Sequence, residues 1–138
     1  MSDSFSLERF VAAQEGRYES ALAEIKAGAK RSHWMWYVFP QVAGLGHSAM
    51  AQHYAIGSLA EARAYLDYPV LGARLRECVA ALDRLSGTSA ERVFGSVDAM
   101  KLRSSLTLFE AAGAPFGSTI ERWFGERDRR TLELLDLQ

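Results

Sequence analysis

The sequence predicts a mainly α-helical single domain of about seven short helices, interrupted by one aromatic-rich irregular segment. Three observations carry that prediction. Apolar residues recur at helical spacing over most of the chain, strict two-residue alternation is nearly absent, and helix start and stop residues punctuate the chain at regular intervals. At 138 residues the chain has one domain's length. With 49% hydrophobic and 24% charged residues it has the composition of a folded globular protein and not of a disordered one.

Each element follows from its local signals. Ser6 precedes Leu7, Phe10 and Val11, giving a first helix to about Gln14. Gly16 separates it from a second helix carrying Tyr18, Leu22 and Ile25, which Gly28 caps. Ser58-Leu59-Ala60-Glu61 is a capping-box pattern opening a helix to about Asp67. Pro69 suits the first turn of the next helix, whose apolar face runs Leu71, Leu75, Cys78, Val79, Leu82 and Leu85 before Gly87 stops it. Thr88-Ser89-Ala90-Glu91 repeats the capping pattern for a short turn closed by Gly95. Ser96 then caps a longer helix to about Ala112 with the stripe Leu102, Leu106 and Phe109. Pro115 stands near the start of a segment holding Ile120, Trp123 and Phe124. After Gly125, Asp128 caps a last helix with Leu132 and Leu135. Lys30 to Ser48, with its aromatic run, Pro40 and the Gly44/Gly46 pair, is the expected irregular stretch.

Composition also bounds function. Sixteen basic against seventeen acidic side chains give a net charge of −1, which argues against nucleic acid as a partner; only Lys26, Lys30 and Arg31 form a local basic group. Cys78 is the sole cysteine, so neither an intramolecular disulfide nor a cysteine-based zinc site can form, which fits a cytoplasmic protein. No signal-peptide pattern or membrane-length apolar run is present, so no membrane partner is expected. His33, His47 and His53 lack metal-ligand spacing, and the common nucleotide-loop and hydrolase-elbow motifs are missing. Neither a metal nor a cofactor is expected.

Two stretches could carry chemistry. In Ser32-His33-Trp34-Met35-Trp36-Tyr37-Val38-Phe39-Pro40-Gln41 the rings are either core or the wall of a cleft, with His33 and Gln41 as polar groups and Arg31 as counter-charge for an anion. In the helix from Asp98, Lys101 and Arg103 could hold an anion. Ser104, Ser105 and Thr107 there either permit close packing or line a polar pocket. Convergence of these two stretches, 31–47 and 98–107, would form a site for a phosphorylated nucleotide or ADP-ribose-like small molecule. The ligand-binding candidates are Arg31, Trp34, Trp36, Gln41, Lys101, Arg103, Ser104 and Ser105. The competing reading is a non-enzymatic module that presents the Trp-rich segment to a protein partner.

The strings RSHWMWYVFPQVAGLGHSAMAQHYAI, EARAYLDYPVLGARL, FGSVDAMKLRSSLTLF and WFGERDRRTLELL, in that order, resemble the bacterial family catalogued as domain of unknown function 1810 from about Leu7 to Leu135. That resemblance implies a small, mainly helical cytosolic protein. Some members carry the label calpastatin, a protease-inhibitor name that belongs to disordered segments and not to a compact domain. Gln52-His53-Tyr54-Ala55-Ile56 and Lys101 to Phe109 resemble, more distantly, the NADAR N-glycosidases that act on ADP-ribosyl linkages. Gln52 stands where that family has a Glu, so its carboxylate does not transfer to this position. If the resemblance extends to chemistry, Asp98 and His33 are the catalytic candidates, a carboxylate for the oxocarbenium-like centre and an imidazole for the leaving group.

Overall fold

The computed structural model describes residues 5–136, which form ten helices and no strand longer than an isolated bridge. In chain order they are α1 (Glu8–Gln14), α2 (Tyr18–Lys26), α3 (Met35–Val38), α4 (Ala49–His53), α5 (Leu59–Asp67), α6 (Pro69–Asp83), α7 (Ala90–Phe94), α8 (Ser96–Ala111), α9 (Gly117–Phe124) and α10 (Arg129–Leu134). The mainly helical class agrees with the sequence. The number is ten and not about seven, because the expected irregular stretch contributes α3 and α4 and the short turn at Ser89 is a full helix.

Local signals explain most boundaries. Ser58 caps α5 by accepting from the Glu61 amide at 3.1 Å, while the Glu61 carboxylate reaches back one residue further than a standard box, to the Gly57 amide at 2.9 Å. At α7 the cap is Ser89, which accepts from the Arg92 amide, so the expected box sits one residue later than Thr88. Ser96 is the first residue of α8 and Gly95, at positive φ, is its cap. The α2 terminus is a Schellman turn: the Gly28 amide bonds Ile25 O and the Ala29 amide bonds Glu24 O, with Gly28 at φ 72°.

Tertiary contacts made the two unexpected helices. α3 has no side-chain cap; it is held by burial of Met35, Tyr37 and Val38 against α1 and by Gln14 Nε2 donating to Tyr37 O at 2.7 Å. α4 buries no residue, which is why no apolar stripe announced it, but Ser48 caps it at 3.1 Å. Arg9 staples the region together, its guanidinium donating to the carbonyls of Phe5, Ser6, His53 and Ala55 and to Glu61 at 2.9 Å. The 41–56 loop closes on itself through the parallel Val42–Ile56 bridge.

α8 runs through the middle, packed against α3, α5, α7, α9 and α10. Leu102, Leu106 and Phe109 are fully buried as the stripe predicts, and Ser104, Ser105, Thr107 and Leu108 are buried as well. One continuous core joins these to Leu71, Leu75, Cys78 and Leu82 of α6 and to the aromatics of the 34–39 segment. The junction of α3, α7 and α8 is therefore anchored on both sides by core.

Candidate functional site

The site begins at the end of α2. After the Schellman turn the chain would leave several amides of residues 31–34 unpaired, and one carboxylate collects them. Glu24 accepts from the amides of Arg31 (2.7 Å) and Ser32 (3.0 Å), from Ser32 Oγ (2.6 Å) and from Trp34 Nε1 (3.0 Å). Burial pushes this carboxyl up, but the hydrogen bonds outweigh it and hold it down at about 2. The adjoining Lys30 amide donates to Val93 O, tying the loop to α7.

Lys30 then points its ammonium at α8. Its Nζ lies 2.9 Å from Asp98 Oδ2 and 5.1 Å from the Trp34 ring centroid, with its side chain only 7% exposed. Lys101, one turn along α8, lies 3.7 Å from Asp98 Oδ1 and 5.3 Å from the Trp36 ring centroid. The His33 ring is 6.5 Å from the Trp36 ring. Trp36 thus links His33 to Lys101, and the two sequence-predicted stretches do meet. Asp98 is bracketed by two ammoniums, so the triad carries one net positive charge, with exposed Arg31 beside it in the chain.

The remaining predicted residues fall elsewhere. Trp34 is 2% exposed and serves as core, with Phe39 and Phe94 against its ring. Gln41 belongs to the Val42–Ile56 bridge, its carbonyl accepting from the Ile56 amide. The hydroxyls of α8 do packing work: Ser104 bonds back to Met100 O, and Thr107 bonds back to Arg103 O while accepting from the Asp128 amide at 2.9 Å. Arg103 pairs with Asp128 at 3.5 Å. Burial raises the Asp128 carboxyl, but bonds from the Thr131 hydroxyl and amide and from Arg103 bring it below the usual range. Ser105 is fully buried and its hydroxyl has no hydrogen-bond partner among the described residues. Nor does the Trp-rich segment offer an exposed apolar patch: Met35, Tyr37, Val38 and Phe39 are buried with Trp34, and among the described residues the large exposed apolar side chains are Met50, Val70, Val97 and Met100.

A cleft of about 430 Å³ opens beside His33, lined by Glu15, Arg17, Ser20, Ser32, Trp34 and Tyr37 as well. Burial raises the Tyr37 phenol, the nearby Arg17 guanidinium opposes the rise, and the net direction is up. Tyr37 in turn donates to His33 O at 3.4 Å. Sequence reasoning missed Arg17 and Ser20, because a helix start after a glycine gives no sign of what it will face. Larger clefts lie elsewhere, one of about 570 Å³ beside Arg103, Arg127 and Arg129. There Arg127 is committed to Glu110 and Glu121, and Arg103 to Asp128.

The family model described as a protein of unknown function, DUF1810, matches residues 4–135. No curated protein matches the chain. The crystal structure of a conserved hypothetical protein from Mycobacterium tuberculosis is 46% identical, covers 99% of this chain and 100% of its own, and superposes with a TM-score of 0.95. Neither match names an N-glycosidase, so that more distant resemblance has no support from them. At that identity and coverage, and with a family match over nearly every residue, the chain belongs to the DUF1810 family of proteins of unknown function.

Proposed function

We propose that this protein binds a small anionic molecule, a phosphorylated nucleotide or ADP-ribose-like compound, where the 30–36 segment meets α8. The observation that carries the reading is the half-buried Trp36 ring close to both His33 and Lys101, next to an ion triad with one positive charge in excess. A flat ring can stack on Trp36 while an anionic group meets Lys101 and Arg31. Cleavage of an N-glycosidic bond would assign Asp98 to the oxocarbenium-like centre and His33 to the leaving group. Two lysines offset the negative potential that such a centre requires of Asp98, so binding is the function the geometry supports best.

Thermal shift against ADP-ribose, NAD, nucleoside phosphates and sugar phosphates tests the reading. A ligand at about 100 times its Kd adds about 2.7 kcal/mol, enough to raise Tm by several degrees in a domain of this size. Lys101→Ala and Trp36→Ala should abolish the shift by ADP-ribose, NAD and nucleoside phosphates while the unliganded proteins still melt cooperatively. An undiminished shift in both folded variants would refute the site. Product analysis of the same mixtures reads out any glycosidic cleavage.

A further inference from the structure

We infer that the cleft between the start of α2 and the 32–37 segment takes a phosphorylated sugar, and that it is the part of the binding site in which the sugar-phosphate end of the ligand sits. This inference rests on the anionic-ligand reading above and names its substrate class.

The lining chemistry divides into two sets. Arg17, Ser20 and His33 can donate. Exposed Arg17 carries a five-donor guanidinium, the exposed Ser20 hydroxyl has no hydrogen-bond partner among the described residues, and an imidazole supplies at least one N–H in either protonation state. Ser32 and Glu15 can only accept, because the Ser32 hydroxyl hydrogen is already given to Glu24 at 2.6 Å and Glu15 is a carboxylate. A bare anion satisfies the first set and leaves the acceptors of Ser32 and Glu15 without donors. A neutral sugar satisfies the second and wastes the guanidinium. A phosphate ester of a polyhydroxylated sugar supplies acceptor oxygens and donor hydroxyls together.

Size points the same way. Whole-ligand pockets run from about 300 to 1,000 Å³, and about 430 Å³ lies at the small end, fitting one sugar phosphate and not a dinucleotide. His33 belongs both to this cleft and, through its ring, to Trp36. A larger ligand can therefore run from the cleft across His33 onto Trp36 and Lys101.

Titration calorimetry with ribose 5-phosphate and with ADP-ribose, on the wild-type protein, Arg17→Gln and Lys101→Ala, separates the two ideas. Arg17 is exposed, so its replacement leaves the core untouched; Ser20→Ala, also exposed, serves as a second variant. Arg17→Gln should weaken both ligands about ten- to a hundredfold, the worth of one charge-assisted contact. Lys101→Ala should weaken ADP-ribose and leave ribose 5-phosphate within about twofold, since Lys101 does not line the cleft. Unchanged ADP-ribose binding in both Arg17→Gln and Ser20→Ala, with loss in Lys101→Ala, would overturn the cleft and leave the proposed function standing. Ribose 5-phosphate binding that depends on Arg17, with no ADP-ribose binding at all, would support the cleft and overturn the nucleotide reading. No binding of either compound to the wild-type protein would overturn both.

Discussion

Glu24 shows how one side chain can fix a loop that has no regular structure. Its two carboxylate oxygens take four hydrogen bonds from residues 31, 32 and 34, one of them from a buried indole. Glu24→Gln keeps the shape but gives up the charge and one acceptor, and should cost about 1–3 kcal/mol in urea unfolding. The pH dependence has a definite sign. A carboxyl ordinarily near 4.5 and held at about 2 in the fold contributes stability that is present above about 4.5 and lost as pH falls through about 2. The gap between wild type and Glu24→Gln should therefore be widest above pH 4.5 and close toward pH 2; a gap independent of pH over that range would show that the charge contributes nothing. Nothing near Glu24 in sequence marks it out, because its partners are backbone amides brought there by the turn at Gly28. Lys101, Asp98 and Trp36, by contrast, stand out in the sequence by their chemistry, and the fold brings them close together.

Elements meet at angles that single small residues permit. Pro69 opens α6 immediately after α5 ends, and the corner is so tight that a Cβ on Gly72 would stand 2.1 Å from Leu66 O. A backbone carbonyl cannot swing aside as a flexible side chain can. Gly72→Ala should therefore destabilise by about 1–3 kcal/mol or more, despite alanine's better helix propensity, as read from denaturant midpoints. A stabilised variant would mean that the corner opens freely. Sequence gave the helix and its proline start but not the crossing, since a glycine inside a helical pattern looks the same whether or not another chain segment lies against it. α3 is the complementary case. Four residues with no cap form a helix only because Gln14 and the surface of α1 receive them.

At the scale of the molecule, Cys78 reports on the integrity of the core. It is fully buried on α6, and burial pushes its thiol up to about 12, with Tyr18's hydrogen bond opposing and Glu77's charge assisting. The thiolate is thus scarce and inaccessible in the folded state. Labelling by a thiol reagent at pH 8 should be slow in buffer and accelerate in step with unfolding as urea is added. Fast labelling of the folded protein would indicate local opening of α6. The same core that hides Cys78 also absorbs most of the aromatic segment, and so decides which rings are available: Trp34 is inside, Trp36 is half-buried at the surface.

Sequence by itself determined the helical class, most helix boundaries and the residue types a ligand site would need, because periodicity, caps and chemical identity are local properties. Tertiary structure alone decided which of those residues meet. Lys30, Asp98, Lys101 and Trp36 converge only when α8 packs beneath the 30–36 loop, and Arg17 and Ser20 join His33 only when the chain returns along α2 after the turn at Gly28. Contacts between residues far apart in the chain leave no trace in one sequence, since the same side chain can serve as core, cap or ligand according to what is folded against it.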